Sequence, residues 1–220
     1  MAASLTGGFT AKSYTIQQGD HLSGIAEQFG FANHETIWND PNNATLKTKR
    51  GNAHVLYPGD TLFIPDQRKK TVAVPTTKVH RFQITAKPLE LRIVLKDFDN
   101  QPIAGAQCVL EIDGASYNLT SDKTGLVRTR IPKTAKNGIL RVPSLDLEIP
   151  CQVGHLDPIE EDSGWRARLT HLGYLQATAD DNAKDRLRPA IEEFQCDYKL
   201  KVTGELDAAT RAKLKEAHGA

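Results

Sequence analysis

Apolar positions change their period along the chain, and each change marks a new structural unit. Tyr14, Ile16 and Gln18 alternate with polar neighbours, and Gly19-Asp20 breaks the chain before Leu22, Ile25, Ala26 and Phe29, which recur at helical spacing. Gly30 is placed to stop that helix, because glycine enters the left-handed C-cap conformation without a Cβ clash. A second short helix is expected over Glu35 to Asn39, and Pro58-Gly59 turns the chain into Thr61, Phe63 and a terminating Pro65. The expected order is strand, helix, helix, strand, with Asp40 to Val55 as a long link between the second helix and the last strand.

From Leu89 the period becomes two. Leu89, Leu91, Ile93 and Leu95 take one side and Glu90, Arg92 and Lys96 the other, which predicts a half-buried strand. Asp99-Asn100 supplies a turn, Ala106, Cys108, Leu110 and Ile112 repeat the alternation, and Asp113-Gly114 turns again. Gly125 precedes Leu126, Val127 and Ile131, and further strands are expected over Gly138 to Val142 and Asp146 to Pro150. Regular short strands separated by turn signals predict an antiparallel β-sandwich.

A helical period returns after the acidic stretch HLDPIEEDSG. Trp165, Leu169 and Leu172 fall at i, i+4 and i+7 with Gly173 as the stop, and Leu187, Ile191 and Phe194 form a second stripe with Pro189 inside it. Asp207 is placed to cap a third helix containing Leu214 and Ala217. The fold class that follows is multidomain α+β, with units over 12–66, 88–150 and 163–218 and linkers over 67–87 and 151–162.

Composition narrows the function. In 220 residues, 28 basic side chains stand against 27 acidic ones and aromatics make up 6%, so neither a basic stripe nor a stacking platform for nucleic acid is present. No apolar run approaches the ~20 residues of a membrane span. The start MAASLTGGFTAKS lacks a basic and an apolar region, so a secretory signal is not expected and synthesis in the cytoplasm is. The three cysteines, Cys108, Cys151 and Cys196, are far apart and are expected to be reduced and mostly buried. The linker's KK and VHRF pieces read as solvated, with docking as the alternative.

Three resemblances follow from these residues. Tyr14, Gly19, Asp20, Leu22, Ile25, Ala26, Phe29, Gly30, Ile37, Asn39, Leu56, Pro58, Gly59, Leu62, Ile64 and Pro65 make the first unit resemble the LysM module, a small βααβ glycan-binding domain. The resemblance implies a shallow sugar groove between the loop after the first strand and the loop before the last. Here that groove maps to Gly19, Asp20, His21, Leu22, Leu56, Tyr57 and Pro58. His21 departs from the Thr or Ser usual in the family, and Asp40 to Val55 is longer than the usual link. DFDNQPIAGAQCVLEIDG with TSDKTGLVRTRIP looks like the transthyretin-like or carboxypeptidase-regulatory-like sandwich, which implies a spacer or docking role. WRARLTHLGYL with RPAIEEFQCDYKLKVTGELDAATRAKL resembles the three-helix peptidoglycan-binding domain found beside bacterial cell-wall hydrolases.

Catalytic chemistry is not expected. A zinc hydrolase needs two or three His and a carboxylate on one metal, whereas the seven histidines are scattered singly, with Cys151/His155 and His155/Asp157 the nearest approximations. No cysteine has an activating setting, and no segment is long enough for a glycosidase cleft. The expectation is a non-enzymatic protein without metal or cofactor. Its partner is peptidoglycan, met at the cell envelope. The alternative is an adaptor or cargo carrier of a contractile injection apparatus of the type VI secretion or phage-like kind, docking spike or effector proteins through these modules and an interface around Lys47, Lys49 and Arg50.

Overall fold

The computed structural model describes residues 12–67, 71–82, 87–97, 99–176 and 183–220. The chain falls into two compact units, residues up to His54 together with Pro58–His155, and Val55–Tyr57 together with Leu156–Ala220.

In the first unit, β1 (Lys12–Thr15) pairs antiparallel with β2 (Thr61–Ile64), from Lys12 opposite Ile64 to Thr15 opposite Thr61. Between them lie α1 (Leu22–Gln28) and α2 (Glu35–Trp38). The helical spacing of Leu22, Ile25 and Ala26 puts all three on a buried face, and Gly30, at φ 72°, closes α1 through Phe31 N–H to the Ala26 carbonyl. The Asp40 to Val55 link is not a loop. Pro41–Asn43 forms a 3-10 turn started by the Asp40 carboxylate, and α3 (Ala44–Arg50) follows, ended by Gly51 in the left-handed conformation.

Two buried polar groups anchor this insertion. Asn43, 1% exposed, donates to the Ile37 and Phe63 carbonyls and accepts from Phe63 N–H, so one side chain ties α2, the insertion and β2 together. Arg50 grips the Asp60 carboxylate with Nε at 2.6 Å and a second guanidinium nitrogen at 2.9 Å, and Lys49 adds a contact at 3.2 Å. The expected interface around Lys47, Lys49 and Arg50 is therefore corrected at Arg50, whose charge is buried and turned inward against Asp60.

The same unit contains six further strands. A two-stranded sheet pairs β3 (Leu89–Val94) with β6 (Leu126–Ile131). A four-stranded antiparallel sheet has the order β5-β4-β7-β8, with β4 Gln107–Ile112, β5 Ala115–Thr120, β7 Asn137–Val142 and β8 Leu147–Gln152. Alternation puts Cys108, Leu110, Ile112, Val127, Ile131, Leu140 and Val142 in one core. Asp113 and Gly114 both have positive φ, 47° and 78°, the conformation that joins two antiparallel strands by two residues. That turn creates β5, a strand the hydrophobic pattern alone did not mark. In the linker, residues 68–70 and 83–86, including the KK pair, lie outside the described residues, while Val79 and Phe82 are exposed.

In the second unit, α4 (Asp162–His171), α5 (Ala183–Asp197) and α6 (Ala208–His218) pack Ile159, Trp165, Leu169, Ile191, Phe194 and Leu214 together. Helix α5 runs through Pro189 without ending there. Asp207 caps α6 by accepting from Thr210 N–H at 2.8 Å. Cys108 and Cys151 are buried free thiols, whereas Cys196 is exposed, because it faces out from α5.

The Arg50–Asp60 pair makes the first prediction. Asp60→Ala leaves a guanidinium buried without its partner and is expected to cost about 3 kcal/mol in urea unfolding, whereas Arg50→Met with Asp60→Leu together lose far less.

Candidate functional site

The loop after β1 contains three of the seven residues expected to line a sugar groove, Gly19, Asp20 and His21, with Leu22 opening α1, and the fold uses the loop's polar groups internally. The Asp20 carboxylate accepts from Tyr14 Oη–H and Gln17 N–H, both at 2.8 Å, which closes the loop on itself. Burial, and then this bond to Asp20, push the Tyr14 phenol up to about 12. His21 is 5% exposed and caps α1, its Nδ1 accepting from Gly24 N–H at 3.3 Å. With Nδ1 an acceptor, Nε2 carries the proton, and it and the Lys133 carbonyl each lie 3.2 Å from where a Cβ on Gly24 would stand. Leu22 is fully buried.

Sandwich residues also lie over this loop. A Cβ on Gly19 would stand 3.0 Å from His155 Nε2, and Gln18 Nε2 is 3.5 Å from His155 Nδ1. Gly154 approaches the Gly19 carbonyl so closely that any side chain there would overlap it. Of the other expected groove residues, Pro58 is half-buried in the first unit, while Leu56 (buried) and Tyr57 (half-buried) belong to the second.

Histidines that are scattered in sequence are grouped by the fold. His21, His34 and His54 lie together, with ring centroids 6.4 Å apart for His21 and His54 and 4.7 Å for His34 and His54. In the second unit His171 Nδ1 sits 3.0 Å from His218 Nε2. Nothing in the spacing of these residues announces either group, because they are 13 to 47 positions apart in the chain. Among the described residues no set of three or more His, Cys, Asp or Glu is placed to hold a metal ion. Cys151 and His155, four positions apart, go separate ways: the Cys151 thiol donates to the Ile149 carbonyl, and burial raises its pKa.

The second unit is organised by buried polar side chains. Gln195, fully buried, accepts from Thr203 N–H at 2.8 Å and Gly204 N–H at 3.0 Å, and its amide reaches Thr203 Oγ1, the Glu205 carbonyl and Thr210 Oγ1 within 3.0 Å. It therefore holds the 203–205 turn and the start of α6 against α5. Arg168, 1% exposed, donates to the main-chain oxygens of Asp157, Gly164 and Ala220. Gly164 lets α4 approach the Pro158 carbonyl to a distance at which a methyl group would overlap it. At the surface, Tyr174 Oη–H donates to Asp197 at 2.9 Å and Lys213 lies over the Tyr198 ring at 5.4 Å.

Residues 166–214 match the family model described as "Putative peptidoglycan binding domain". No curated protein and no solved structure matches the chain. The matched segment runs from within α4 through α5 and into α6, so a peptidoglycan-binding domain is present in the C-terminal helical part. The residues that carried the resemblance, among them Ile191, Phe194-Gln195, Thr203-Gly204, Thr210 and Leu214, are core and turn residues of this unit.

Two outcomes follow. Gln195→Leu strands the buried turn amides of Thr203 and Gly204 and is expected to cost about 3 kcal/mol in thermal or urea unfolding. His218 is held down to about 4 by burial first and then by His171 and Arg168. The folded state thus refuses a proton that the unfolded chain takes up below about 6.5, and stability falls as pH drops from about 6.5 through 4. After discounting for solvent screening the loss is about 1–2 kcal/mol, and His218→Gln flattens it in a pH series of unfolding curves.

Proposed function

We propose that the protein is a non-catalytic peptidoglycan-binding protein whose C-terminal domain engages the wall, with a LysM-like module and a transthyretin-like sandwich carried in front of it. The match of residues 166–214 to the peptidoglycan-binding family carries this reading. Its site of action is the bacterial cell envelope.

One observation favours a second use of the N-terminal module. The loop that would face a sugar has its Asp20 carboxylate and His21 ring engaged within the protein and has Gly154 and His155 against it. A module in that condition suits protein contact better than glycan, as an adaptor of a contractile injection apparatus would require.

The full chain is expected to pellet with purified peptidoglycan, and His21→Ala with Tyr57→Ala to pellet to within about two-fold of the parent, because binding rests on the C-terminal domain. Parent protein left in the supernatant would sink the wall-binding reading. Release of soluble muropeptides would sink its non-catalytic part.

A further inference from the structure

The two-stranded sheet of the sandwich leaves an edge of β3 open. Leu95 N–H donates to the Gly125 carbonyl at 2.8 Å, which continues the register that sets Leu89 opposite Ile131 and Ile93 opposite Val127. In an antiparallel ladder, residues two apart send their main-chain groups to the same side, so Leu89, Leu91 and Ile93 bond to β6. Glu90, Arg92 and Val94 send theirs the other way, where no strand pairs with β3 among the described residues. The inward side chains are open to match. Val127 and Ile131 of β6 are buried, whereas Leu89, Leu91 and Ile93, packed on the same core, are half-buried.

Edge strands usually carry a feature that discourages further pairing. In β8, at one edge of the four-stranded sheet, that feature is Pro150. The bond from Val153 N–H to the Lys136 carbonyl fixes which β8 residues face β7, and Pro150 is not among them, so its missing N–H falls on the open side. At the other edge, β5 has no charged side chain and therefore specifies no register. Within Leu89–Val94 there is no proline, and the positions that face the core are all leucine or isoleucine.

The outward charges of β3 decide what it can pair with. Glu90, Arg92 and Val94 are exposed. Inside the chain Arg92 stands opposite Arg128, a like-charge cross-strand pair, while Glu90 stands opposite Arg130. For two β3 strands set antiparallel about a two-fold axis, the main-chain groups of Glu90, Arg92 and Val94 must meet each other. Centring on Glu90 or on Arg92 puts like charges face to face, and centring on Ile93 leaves Arg92 opposite Val94. Centring on Leu91 puts Glu90 of each copy opposite Arg92 of the other, Leu89 opposite Ile93, and Leu91 opposite itself. In that register the Glu90 and Arg92 positions are the hydrogen-bonded pairs, as the direction of their main-chain groups requires.

We propose that β3 is a self-pairing edge, through which two copies of this chain join antiparallel with Leu91 on the two-fold axis and Glu90 of each against Arg92 of the other. The joined sheet runs β6, β3, β3, β6. Each Arg92 gains a carboxylate on the side away from Arg128, which offsets the like-charge pair within the chain. On the inner face, Leu89, Leu91 and Ile93 of the two copies lie side by side. One pair of six-residue strands is a small interface, so the dimer is weak and depends on concentration. A dimer carries two C-terminal domains, and on a wall polymer each raises the effective concentration of the other.

Sedimentation velocity of the full chain from about 10 μM to about 1 mM is expected to show monomer passing into dimer. Over the same range the amides of Glu90, Arg92 and Val94 gain about ten-fold protection from hydrogen exchange, whereas Arg128 and Arg130, whose main chains face away from β3, keep theirs. Arg92→Glu sets carboxylates face to face and weakens the dimer at least about ten-fold. Glu90→Arg combined with Arg92→Glu exchanges the charges, restores both opposite-charge pairs and brings the dimer back to within about three-fold of the parent. A chain that stays monomeric throughout would overturn the proposal. So would a dimer indifferent to Arg92→Glu, a charge exchange that fails to restore it, or protection that appears at Ser116 and Asn118 of β5 in place of β3. Should Arg92→Glu fail to fold, the amide protection of the parent chain decides.

Discussion

Each part of this protein is too small to be held by apolar burial alone, and each is pinned by a buried polar side chain that satisfies main-chain groups in an irregular segment. Asn43 bonds to the Ile37 and Phe63 main chain, Gln195 to the 203–205 turn, and Arg168 to two main-chain oxygens around the start of α4 and to that of Ala220 after α6. Ser121 does the same in the sandwich, accepting from Ala106 N–H and donating to the Ile103 carbonyl. A main-chain group buried without a partner costs about as much as a lost hydrogen bond, and small domains have little stability in reserve. Removing any of these side chains therefore loosens a whole segment rather than a single contact.

The same constraint explains why the two resemblances to wall-binding modules differ in functional weight. In the C-terminal domain the signature residues are those that build the fold, Ile191, Phe194, Gln195 and Thr210, with the Tyr174 ring packed edge-on against Phe194 and its hydroxyl turned to Asp197. In the N-terminal module the signature includes the loop itself. Its polar atoms close the loop, cap α1 and meet the sandwich, so the residues that could face a ligand are the ones the fold has already engaged. A histidine at position 21 has a local consequence. An imidazole can cap the helix and still lie beside the Lys133 carbonyl.

Legibility followed distance along the chain. Strands β3, β4, β6, β7 and β8, the α1 and α4 stops at Gly30 and Gly173 and the Asp207 cap were readable, since each depends on neighbours within about one helical turn or one hairpin. Strand β5 was missed because ASYNLT has no strong apolar alternation, although the Asp113-Gly114 turn implied a partner for β4. Helix α3 was missed because ATLKTKR shows only Leu46 as an apolar position, and its hold on the rest comes from Arg50 reaching Asp60.

By itself, then, the sequence determined the order of the elements, the turns between them and the similarity of the last part to a peptidoglycan-binding domain. These rest on periodicity, capping and φ preferences, which act over a few residues. Only the tertiary structure decided that Arg50 faces inward, that His21 lies beneath the Lys133 turn, and that five of the seven histidines gather into a trio and a pair. The burial and protonation of a polar side chain depend on the groups that surround it in space, and here those groups come from segments as far apart as residues 21 and 133.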